Sequence, residues 1–446
     1  MKLKNICLLA FSFLMLTFSS CKKETVDMTH LLTTVPSSAS GVIVLNIEGL
    51  LQDAGCKIKD NVVTPSPEVK NLLEKASKQD SEDFSLIFNG DAGIEPKGAV
   101  VFYDANRAFL TFSLCDEKKF SDFVEKKTGA PFKEESGVKV NGTVAMRGAQ
   151  AWVLLTTWKG IDADAIAAYA ALGPAQSFLV TPVGEKLLVE EDDIRGWMLL
   201  NALASQSILE DFGNYFNMAF NMLFEDAQSV IFKADFKKGE MEAEAKILNE
   251  KFKPAKYQLP KEKLDVATLK SIGGNCEAFM AFTVDEKLVK KLQALGSIFG
   301  GPIFSSILDA FKNVSGTAGV AASGSKFSSM NGVVTTKGGI SPILKSLISS
   351  NLAPVSQDGD LLRFSMGEVS GPLSVEECAE EFKGCCMGAC IDASALGDYS
   401  DSGVLPFPFK ALVLKMKPED GSLELEVEIK STDPDRNAIF DLLKGF

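Results

Sequence analysis

The chain has 446 residues, a formal net charge of −13 and one histidine; 46% of its residues are hydrophobic and 24% are charged. The acidic balance argues against nucleic acid as a partner and against a polybasic membrane contact, because both depend on clustered Lys and Arg. The composition is that of a globular protein with a buried core. Because His30 is the single histidine and lies near the N-terminus, catalytic triads that use histidine are nearly excluded.

The first 20 residues have the features of a bacterial lipoprotein signal peptide. Lys2 and Lys4 precede an apolar run over 6–18, and the small residues Ser19 and Ser20 come directly before Cys21. That run is shorter than the about 20 residues that a membrane-spanning helix needs. We therefore expect cleavage before Cys21 and lipid attachment to its thiol, which gives a stable membrane anchor. Residues 21–35 are predicted to form a polar tether.

A first module is predicted over 36–250. Its sequence mixes short β-rich segments with amphipathic helical segments, which is typical of an α+β fold. A hairpin is expected where strands over 99–102 and 108–115 flank the turn at 104–106. The other expected elements are strands over 41–47, 138–140 and 151–156 and helices over 49–55, 117–127 and 163–172.

An acidic run, Glu190-Glu191-Asp192-Asp193, precedes an apolar stretch that begins at Ile194. We interpret this stretch as a helix whose N-terminus the carboxylates cap and stabilise through the helix dipole. A calcium or catalytic carboxylate site is the alternative, and it would require spaced oxygen ligands in a loop.

Two parts of the chain contain similar hairpin sequences. Residues 230–247 align without gaps with residues 412–429, so that Lys233 meets Lys415 and Gly239 meets Gly421. After each glycine, apolar residues alternate with polar ones, which predicts a strand with one buried apolar face and glutamates facing water. Duplication explains the match more simply than two unrelated amphipathic hairpins do.

Residues 251–265 separate these two parts. They form a basic segment with Pro254 and Pro260, which predicts an interdomain linker. A second module then occupies 266–446. The predicted architecture is therefore α+β, with two related modules of mainly antiparallel sheet and packed helices joined by this linker.

Without the signal peptide and the lipidated Cys21, seven of the nine cysteines remain, and four lie close together in sequence. Structural zinc sites favour cysteine pairs two to four residues apart, a spacing that only part of this cluster meets. One member lies on an apolar helical stripe, which favours buried thiols over a disulfide or a metal site. The pairing among the four is left open, and no metal or cofactor is predicted. The cluster consists of Cys378, Cys385, Cys386 and Cys390.

Catalytic motifs are scarce. Ser323-Gly324-Ser325-Lys326 matches S-x-x-K, but it lies between apparent strands and no S-D-N partner follows, so we interpret it as a chance match. The G-x-S-x-G, P-loop, G-x-G-x-x-G and H-E-x-x-H patterns do not occur. The sequence therefore favours a binding protein over an enzyme. An envelope hydrolase that does not use histidine is the alternative.

Four phenylalanines, Phe212, Phe216, Phe220 and Phe224, recur every fourth residue. A helical stripe of this kind is usually buried in a core. The alternative is a groove for an apolar ligand or a partner peptide, and these residues are the candidate surface for it.

Three segments carry a resemblance to a known family: Ser19-Ser20-Cys21, VPSSASGVIVLNIEGLL over 35–51 and GNCEAFMAFTVDEKLVKKL over 274–292. The chain resembles the Bacteroidetes lipoproteins grouped as domain-of-unknown-function family 4836. The resemblance implies an anchored envelope protein and transfers no functional residue other than Cys21. Surface-exported relatives often carry acidic residues after the cysteine, which Lys22-Lys23-Glu24 matches poorly. The resemblance therefore favours the periplasmic side of the outer membrane over surface exposure.

The sequence as a whole predicts a membrane-anchored envelope lipoprotein that acts by binding or scaffolding. Its expected partners are the membrane, through the lipid, and either an envelope protein or a small apolar ligand, with no nucleic acid.

Overall fold

The computed structural model describes residues 27–75, 78–104, 107–156, 160–189, 192–204, 224–288, 314–324, 328–336, 355–393, 395, 409–419 and 421–440. The chain forms two compact units. The first unit comprises Met1–Leu209, Ser229–Ala243 and Asp433–Phe446, and the second comprises Glu210–Gln228 and Glu244–Thr432. Across these described ranges, none of the helices is both long and apolar enough to cross a membrane.

Each unit combines an antiparallel sheet with packed helices, so the predicted α+β fold is confirmed. The module boundaries at 250 and 266 are inferred from the repeated hairpin sequences, and they stay a prediction. Residues 251–265 belong to the second unit. There, Ala255 N donates to Ile247 O and Leu264 N donates to Cys385 O.

The first unit contains a sheet in which β1 lies near the centre. Its spatial order is β11–β10–β1–β4–β5–β9–β8–β7–β6, and the separate hairpin β2–β3 completes the set. The predicted hairpin across 104–106 is confirmed as β4–β5. The strands are β1 (Gly41–Leu45), β2 (Lys57–Lys59), β3 (Val62–Thr64), β4 (Ile94–Asp104), β5 (Arg107–Leu114), β6 (Lys133–Glu135), β7 (Val138–Asn141), β8 (Val144–Arg147), β9 (Gln150–Leu154), β10 (Ile194–Leu199) and β11 (Ser229–Lys237). The next strand, β12 (Glu240–Leu248), contains the boundary between the two units.

The helices of the first unit are α1 (Thr29–Leu32), α2 (Ile47–Asp53), α3 (Pro67–Lys75), α4 (Lys78–Phe88), α5 (Glu117–Thr128), α6 (Ala163–Ala170), α7 (Gly184–Val189) and α8 (Leu200–Ala204), with 3-10 turns at Pro174–Gln176 and Phe178–Val180. Polar side chains cap their free N–H groups. The Asp116 side chain accepts from Lys119 N at the start of α5, which confirms the helix predicted over 117–127. The helix ends at Gly129, whose φ of 70° favours glycine.

Both faces of the first sheet are covered. On one face, Leu50 of α2, Val69 of α3, Phe88 of α4 and Phe120 of α5 join the strands in one buried core. On the other face, the Tyr169 ring meets the rings of Phe102 and Phe109 edge-on, with centroids 5.4 and 5.6 Å away. The first sheet is therefore a central layer between two layers of packing.

Residues 21–35 are predicted to be a tether, but in the part that the structure describes the chain from Met28 onward is packed into the first unit. Met28, Leu31, Leu32 and Val35 are buried, with exposed fractions of 0–1%. The chain is folded into the first unit from Met28 onward because these apolar side chains of α1 and its flanks reach the core. The sequence suggested a free segment since polar residues separate them.

The apolar stretch after the acidic run is strand β10 and not the predicted helix. Its residues pair with β1 on one side and with β11 on the other. A short, continuous apolar run can form either a buried strand or a buried helix, so the periodicity of six residues cannot distinguish the two. The capping role assigned to Glu190–Asp193 is therefore wrong.

The second unit has a sheet of order β22–β21–β20–β14–β15–β16–β18–β17. Its strands are β13 (Asn275–Cys276), β14 (Ala278–Val284), β15 (Val314–Ser323), β16 (Ser329–Thr336), β17 (Val355–Asp358), β18 (Leu361–Met366), β19 (Leu373–Ser374), β20 (Met387–Asp392), β21 (Ala411–Glu419) and β22 (Ser422–Lys430). Helices α9 (Val266–Lys270) and α10 (Val375–Glu381) pack against it.

The two units match in strand order. Strand β1 lies between β10 and β4, and β14 lies between β20 and β15. Farther out, β11 corresponds to β21 on one side, and β5, β9 and β8 correspond to β16, β18 and β17 on the other.

The registers of the two sheets match as well. Ile43 lies opposite Gly196 and Val101, and Met280 lies opposite Ala389 and Val320. One strand farther along, Lys233 pairs with Arg195 and Lys415 pairs with Gly388. The strand pairing therefore superposes Lys233 on Lys415, which is the correspondence that the gapless sequence alignment gives.

Candidate apolar binding face

The sheet of the second unit has two faces of different chemistry. One face carries Phe279, Cys390 and Val413, which are buried with α9 and α10 in the core of the unit. The opposite face, called the apolar face below, has no charged side chain in strands β22, β21, β20, β14 and β15. It consists of Ala278, Met280, Phe282, Ala318, Val320, Ala322, Met387, Ala389, Ile391, Leu412, Leu414, Met416, Leu423, Leu425, Val427 and Ile429.

The strand register aligns these side chains in rows across the sheet. Directly paired residues lie on the same face, so the row Val320–Met280–Ala389–Leu414–Val427 crosses five strands. Neighbouring rows repeat the pattern because the side chains of each strand alternate between the two faces. The result is an apolar face in which exposed and half-buried side chains alternate with buried ones such as Ala389 and Ile429.

Two side chains in this row are largely accessible. Met280 is 46% exposed and Leu414 is 36% exposed, and Val320 and Val427 beside them are only half-buried. Scattered exposed apolar residues are common, but a contiguous apolar patch marks a binding surface. Further burial of this face would be worth about 25 cal/mol per Å².

The corresponding face of the first unit is filled. Val101 occupies the position of Val320 and is 5% exposed, and Ile43 packs against the same core. That core includes side chains from α2 to α5. Among the described residues, the apolar face of the second unit is therefore more exposed than its counterpart, although the strand arrangement is the same.

The structure tests little of the predicted phenylalanine surface. Phe212, Phe216 and Phe220 lie outside the described residues, as does Cys21. Phe224 is 3% exposed and forms a β-bridge with Tyr257 in the second unit. Its side chain is thus part of a packed interior. The apolar face was missed in the sequence because alternation shows that a face is apolar but not whether anything covers it.

The cysteine cluster consists of buried free thiols in the structure. Val375, Cys378, Ala379 and Phe382 form the buried stripe that the sequence predicted on α10. Burial raises the pKa of Cys385 to about 11 and that of Cys386 to about 12, so neither is a reactive thiolate at neutral pH. Among the described residues, no set of three His, Cys, Asp or Glu is placed to hold a metal ion.

The single histidine contacts a serine that is distant in sequence. His30 Nε2 lies 2.6 Å from Ser113 Oγ, a distance suited to a serine nucleophile and its base. Ser113 is 7% exposed within the sheet. The next two N–H groups, of Leu114 and Cys115, already donate to Ala149 O and Gly93 O. They cannot serve as oxyanion donors, so we interpret the pair as a tie between α1 and β5.

A charged network lies on the core-facing side of β21 and β22, where the sequence predicted glutamates facing water. Glu424 and Glu428 are 7% and 9% exposed, which corrects that expectation. Lys415 Nζ binds Glu428 and lies 3.4 Å from Glu381 Oε2 and 3.6 Å from Glu426 Oε2. Burial opposes charge on Glu428, but hydrogen bonds from Lys415 and Lys430 outweigh it and lower its pKa.

The acidic run in the first unit also joins a charged interior. Asp193 is fully buried and its Oδ2 accepts from Phe236 N at 2.9 Å, while Arg195 is 1% exposed. Asp192 Oδ1 lies 3.8 Å from Lys233 Nζ. Burial raises the pKa of Asp192, and Lys233 partly counters it. Asp192 thus faces the half-buried Lys233, and Asp193 accepts a main-chain hydrogen bond from the neighbouring strand, which explains their position without a ligand.

The S-x-x-K motif has no catalytic geometry in its described part. Ser323 is the last residue of β15, is 5% exposed, and its Oγ accepts from Ser370 N at 3.2 Å. Ser325 and Lys326 lie outside the described residues.

Comparisons with known proteins place few constraints on this chain. No family model matches it, and no curated protein matches it. Among solved structures, crystal form III of TP0453 is similar at 11% identity and a TM-score of 0.32, covering 81% of this chain and 98% of that one. Crystal form I of TP0453 is similar at 10% identity and a TM-score of 0.30, covering 81% and 97%. A likeness at this level carries no functional argument.

Proposed function

We propose that the chain is a membrane-anchored envelope lipoprotein that holds an apolar ligand, a lipid acyl chain, against the apolar face. The observation that carries this proposal is the uncharged row through Met280 and Leu414, which are 46% and 36% exposed in the second unit, whereas Val101 in the matching row of the first unit is buried and Ile43 packs against the core. We assign the apolar ligand that the sequence suggested to this face.

An acyl chain fits the chemistry of this surface better than a polar ligand does. Binding sites for polar molecules place hydrogen-bonding or charged groups among apolar ones. Strands β22, β21, β20, β14 and β15 offer only aliphatic, methionine and phenylalanine side chains on the apolar face. Methionine adapts its shape to a flexible hydrocarbon because its unbranched side chain has three rotatable bonds.

The predicted anchor supports the same ligand. The first 20 residues, the resemblance to family 4836 and Cys21 favour an outer-membrane lipoprotein on the periplasmic side. Met28 is already packed in the first unit, so the chain from Cys21 can extend at most roughly 25 Å. A lipid on Cys21 would therefore keep the folded chain beside a bilayer, where acyl chains are abundant.

Binding of a pyrene-labelled fatty acid tests the proposal. The chain with Cys21→Ser, which cannot carry its own lipid, is expected to bind the probe saturably. Met280→Lys and Leu414→Lys should each weaken binding at least about tenfold, because each places a charge in the apolar contact. Val62→Lys and Val180→Lys alter first-unit residues that are 40% and 52% exposed and should leave binding unchanged.

Two outcomes would contradict the proposal. One is the absence of saturable binding, and the other is equal weakening by all four lysine variants. Crosslinking of the lipidated protein in its native membrane tests the competing possibility that a protein partner occupies the face. If Met280→Lys abolishes a protein crosslink and fatty acid does not bind, the face is a protein interface and the acyl-chain proposal fails.

A further inference from the structure

Helix α10 and strand β20 pack against each other in the core of the second unit. The Phe382 ring at the end of α10 occupies the space where a side chain on Gly388 would lie, with ring carbons 2.3–2.5 Å from an added Cβ. The same ring stacks on Phe279 with centroids 5.7 Å apart. Phe279 is paired in register with Cys390. Phe382 therefore fixes where α10 crosses β20.

Cys378 lies one helical turn before Phe382 on α10. Cys390 lies two residues after Gly388, on the same face of β20. Residues i and i+4 of a helix are about 6 Å apart along the axis. Alternate residues of a strand are about 6.7 Å apart. The two spacings agree, so Cys378 lies over Cys390 as Phe382 lies over Gly388. The two thiols belong to one core and are 5% and 2% exposed.

The contact between the two thiols has an electrostatic consequence. The Cys390 thiol donates a hydrogen bond to the Cys378 sulfur, and this bond together with burial raises the pKa of Cys390 far above its ordinary range. Cys390 is therefore protonated once the unit has folded, and a folded chain should react slowly with oxidants. Any bond between the two sulfurs has to form while the chain is still folding.

We propose that Cys378 and Cys390 are an oxidation site that becomes a disulfide between α10 and β20 when the chain folds in an oxidising compartment. Both thiols are free in the structure and face each other from two elements that already pack together. Cys385 and Cys386 are adjacent in sequence to each other and are not part of this pair. The inference concerns a covalent modification and is independent of the acyl-chain ligand.

The oxidant is a small or protein disulfide of the glutathione or thiol–disulfide oxidoreductase class. The thiolate of one cysteine attacks a sulfur of this donor, forms a mixed disulfide and releases one donor thiolate. The other cysteine, as a thiolate, then displaces the remaining donor sulfur. The two cysteines together lose two protons and two electrons, and the donor leaves as two thiols.

The test is refolding of the reduced, denatured chain carrying Cys21→Ser in a redox buffer of reduced and oxidised glutathione. Free thiols are then alkylated under denaturing conditions and the tryptic fragments are mapped. The expected result is two fewer alkylated cysteines than in a reduced control, with fragment 364–383 linked to fragment 384–410. The first fragment contains Cys378 as its single cysteine, and the second contains Cys385, Cys386 and Cys390.

Alanine variants assign the partner within the second fragment. Cys378→Ala and Cys390→Ala should each abolish the link, whereas the matched controls Cys385→Ala and Cys386→Ala should retain it. If an alanine variant fails to fold, tandem mass spectrometry of the linked peptide from the chain without these changes identifies which cysteine of fragment 384–410 is linked. Full alkylation of Cys378 and Cys390 after oxidative refolding, or a link that survives Cys390→Ala, would overturn the proposal. Protein taken from the cell envelope should carry the same link.

Discussion

The two units of this chain share a strand order and a register, yet they treat the same sheet face differently. In the first unit, Val101 and Ile43 lie under side chains of α2 to α5. In the second, the equivalent Val320 and Met280 are half-buried and 46% exposed, respectively. The comparison shows that the same strand pairing can present a face that described helices cover, as in the first unit, or one that carries exposed apolar side chains, as in the second.

The matched lysines, Lys233 and Lys415, show a second difference. Lys233 faces another cation, Arg195, across the strand pair, and carboxylates such as Asp192 compensate nearby. Lys415 faces Gly388 and is surrounded by carboxylates from β22 and from the end of α10. The matched position therefore carries a cation in both units, half-buried in the first and buried in the second, and each unit neutralises it with different partners.

The largest expected effect comes from removing the cation of the second unit. Lys415→Ala should lower the free energy of unfolding by about 3 kcal/mol, because Glu428 and Glu426 would lose their buried cation and keep only the more exposed Lys430 and Lys417. Lys233→Ala should cost about 1 kcal/mol, since its side chain is 33% exposed and its contact with Asp192 is long. Urea unfolding measures both. Equal losses would show that the two positions are energetically alike.

The next effect compares the two faces with identical side chains. Val101→Ala should cost about 2–3 kcal/mol, because it removes buried methyl groups and leaves a cavity. Val320→Ala at the matching position should cost less than about 1 kcal/mol if the apolar face is accessible in solution. The same unfolding experiment applies. A loss at Val320 as large as that at Val101 would mean that the face is covered.

The two hairpin turns provide a smaller and independent comparison. Gly239 and Gly421 have φ of 82° and 85°, which alanine adopts only at a cost of about 1–2 kcal/mol. An added Cβ on Gly239 would also lie 2.9 Å from Pro434 O, whereas one on Gly421 meets nothing within 4 Å. Gly239→Ala should therefore be the more destabilising change. Thermal unfolding of both variants checks this order, and a reversed order would contradict the described packing at Pro434.

The smallest effect is a pH dependence within the charged network. The pKa of Glu428 is lowered from its ordinary 4.5, so its contribution to stability is present above pH 4.5 and is lost as pH falls through the folded-state pKa. Burial raises the pKa of Glu424 on the same strand, so its contribution has the opposite sign. Glu428→Gln should reduce the free energy of unfolding that is lost between pH 6 and pH 3 by about 1 kcal/mol, and Glu424→Gln should increase that loss. A urea midpoint measured across this range distinguishes the two, and identical profiles would refute the assignment.

The sequence could predict what local chemistry determines. Asp116 as a cap and Gly129 as a stop delimit α5, and the turn at 104–106 between two apolar runs gives the β4–β5 hairpin. The stripe of Val375, Cys378, Ala379 and Phe382 predicted a buried face on α10. In each case the signal lies within about ten residues of the chain, where capping, turn and periodicity rules apply directly.

Other features required contacts between distant residues. The strand at 194–199 looked like a helix because its partners, β1 and β11, are far away in sequence. Glu428 looked like a surface residue because nothing near it in sequence shows that Glu381, Lys415 and Lys430 surround it. His30 looked like part of a tether until α1 was seen packed beside Ser113.

The sequence by itself determined the alternation of the β21–β22 strands, the glycine at each matched turn and the repeated lysine at 233 and 415. The tertiary structure alone decided which face of each sheet is covered, which glutamates are buried and which thiols meet. The physical reason is that alternation assigns side chains to two faces, whereas burial depends on the layer that packs against each face. Met280 and Ile43 are equivalent in register, yet Ile43 packs against a described core whereas Met280 is 46% exposed.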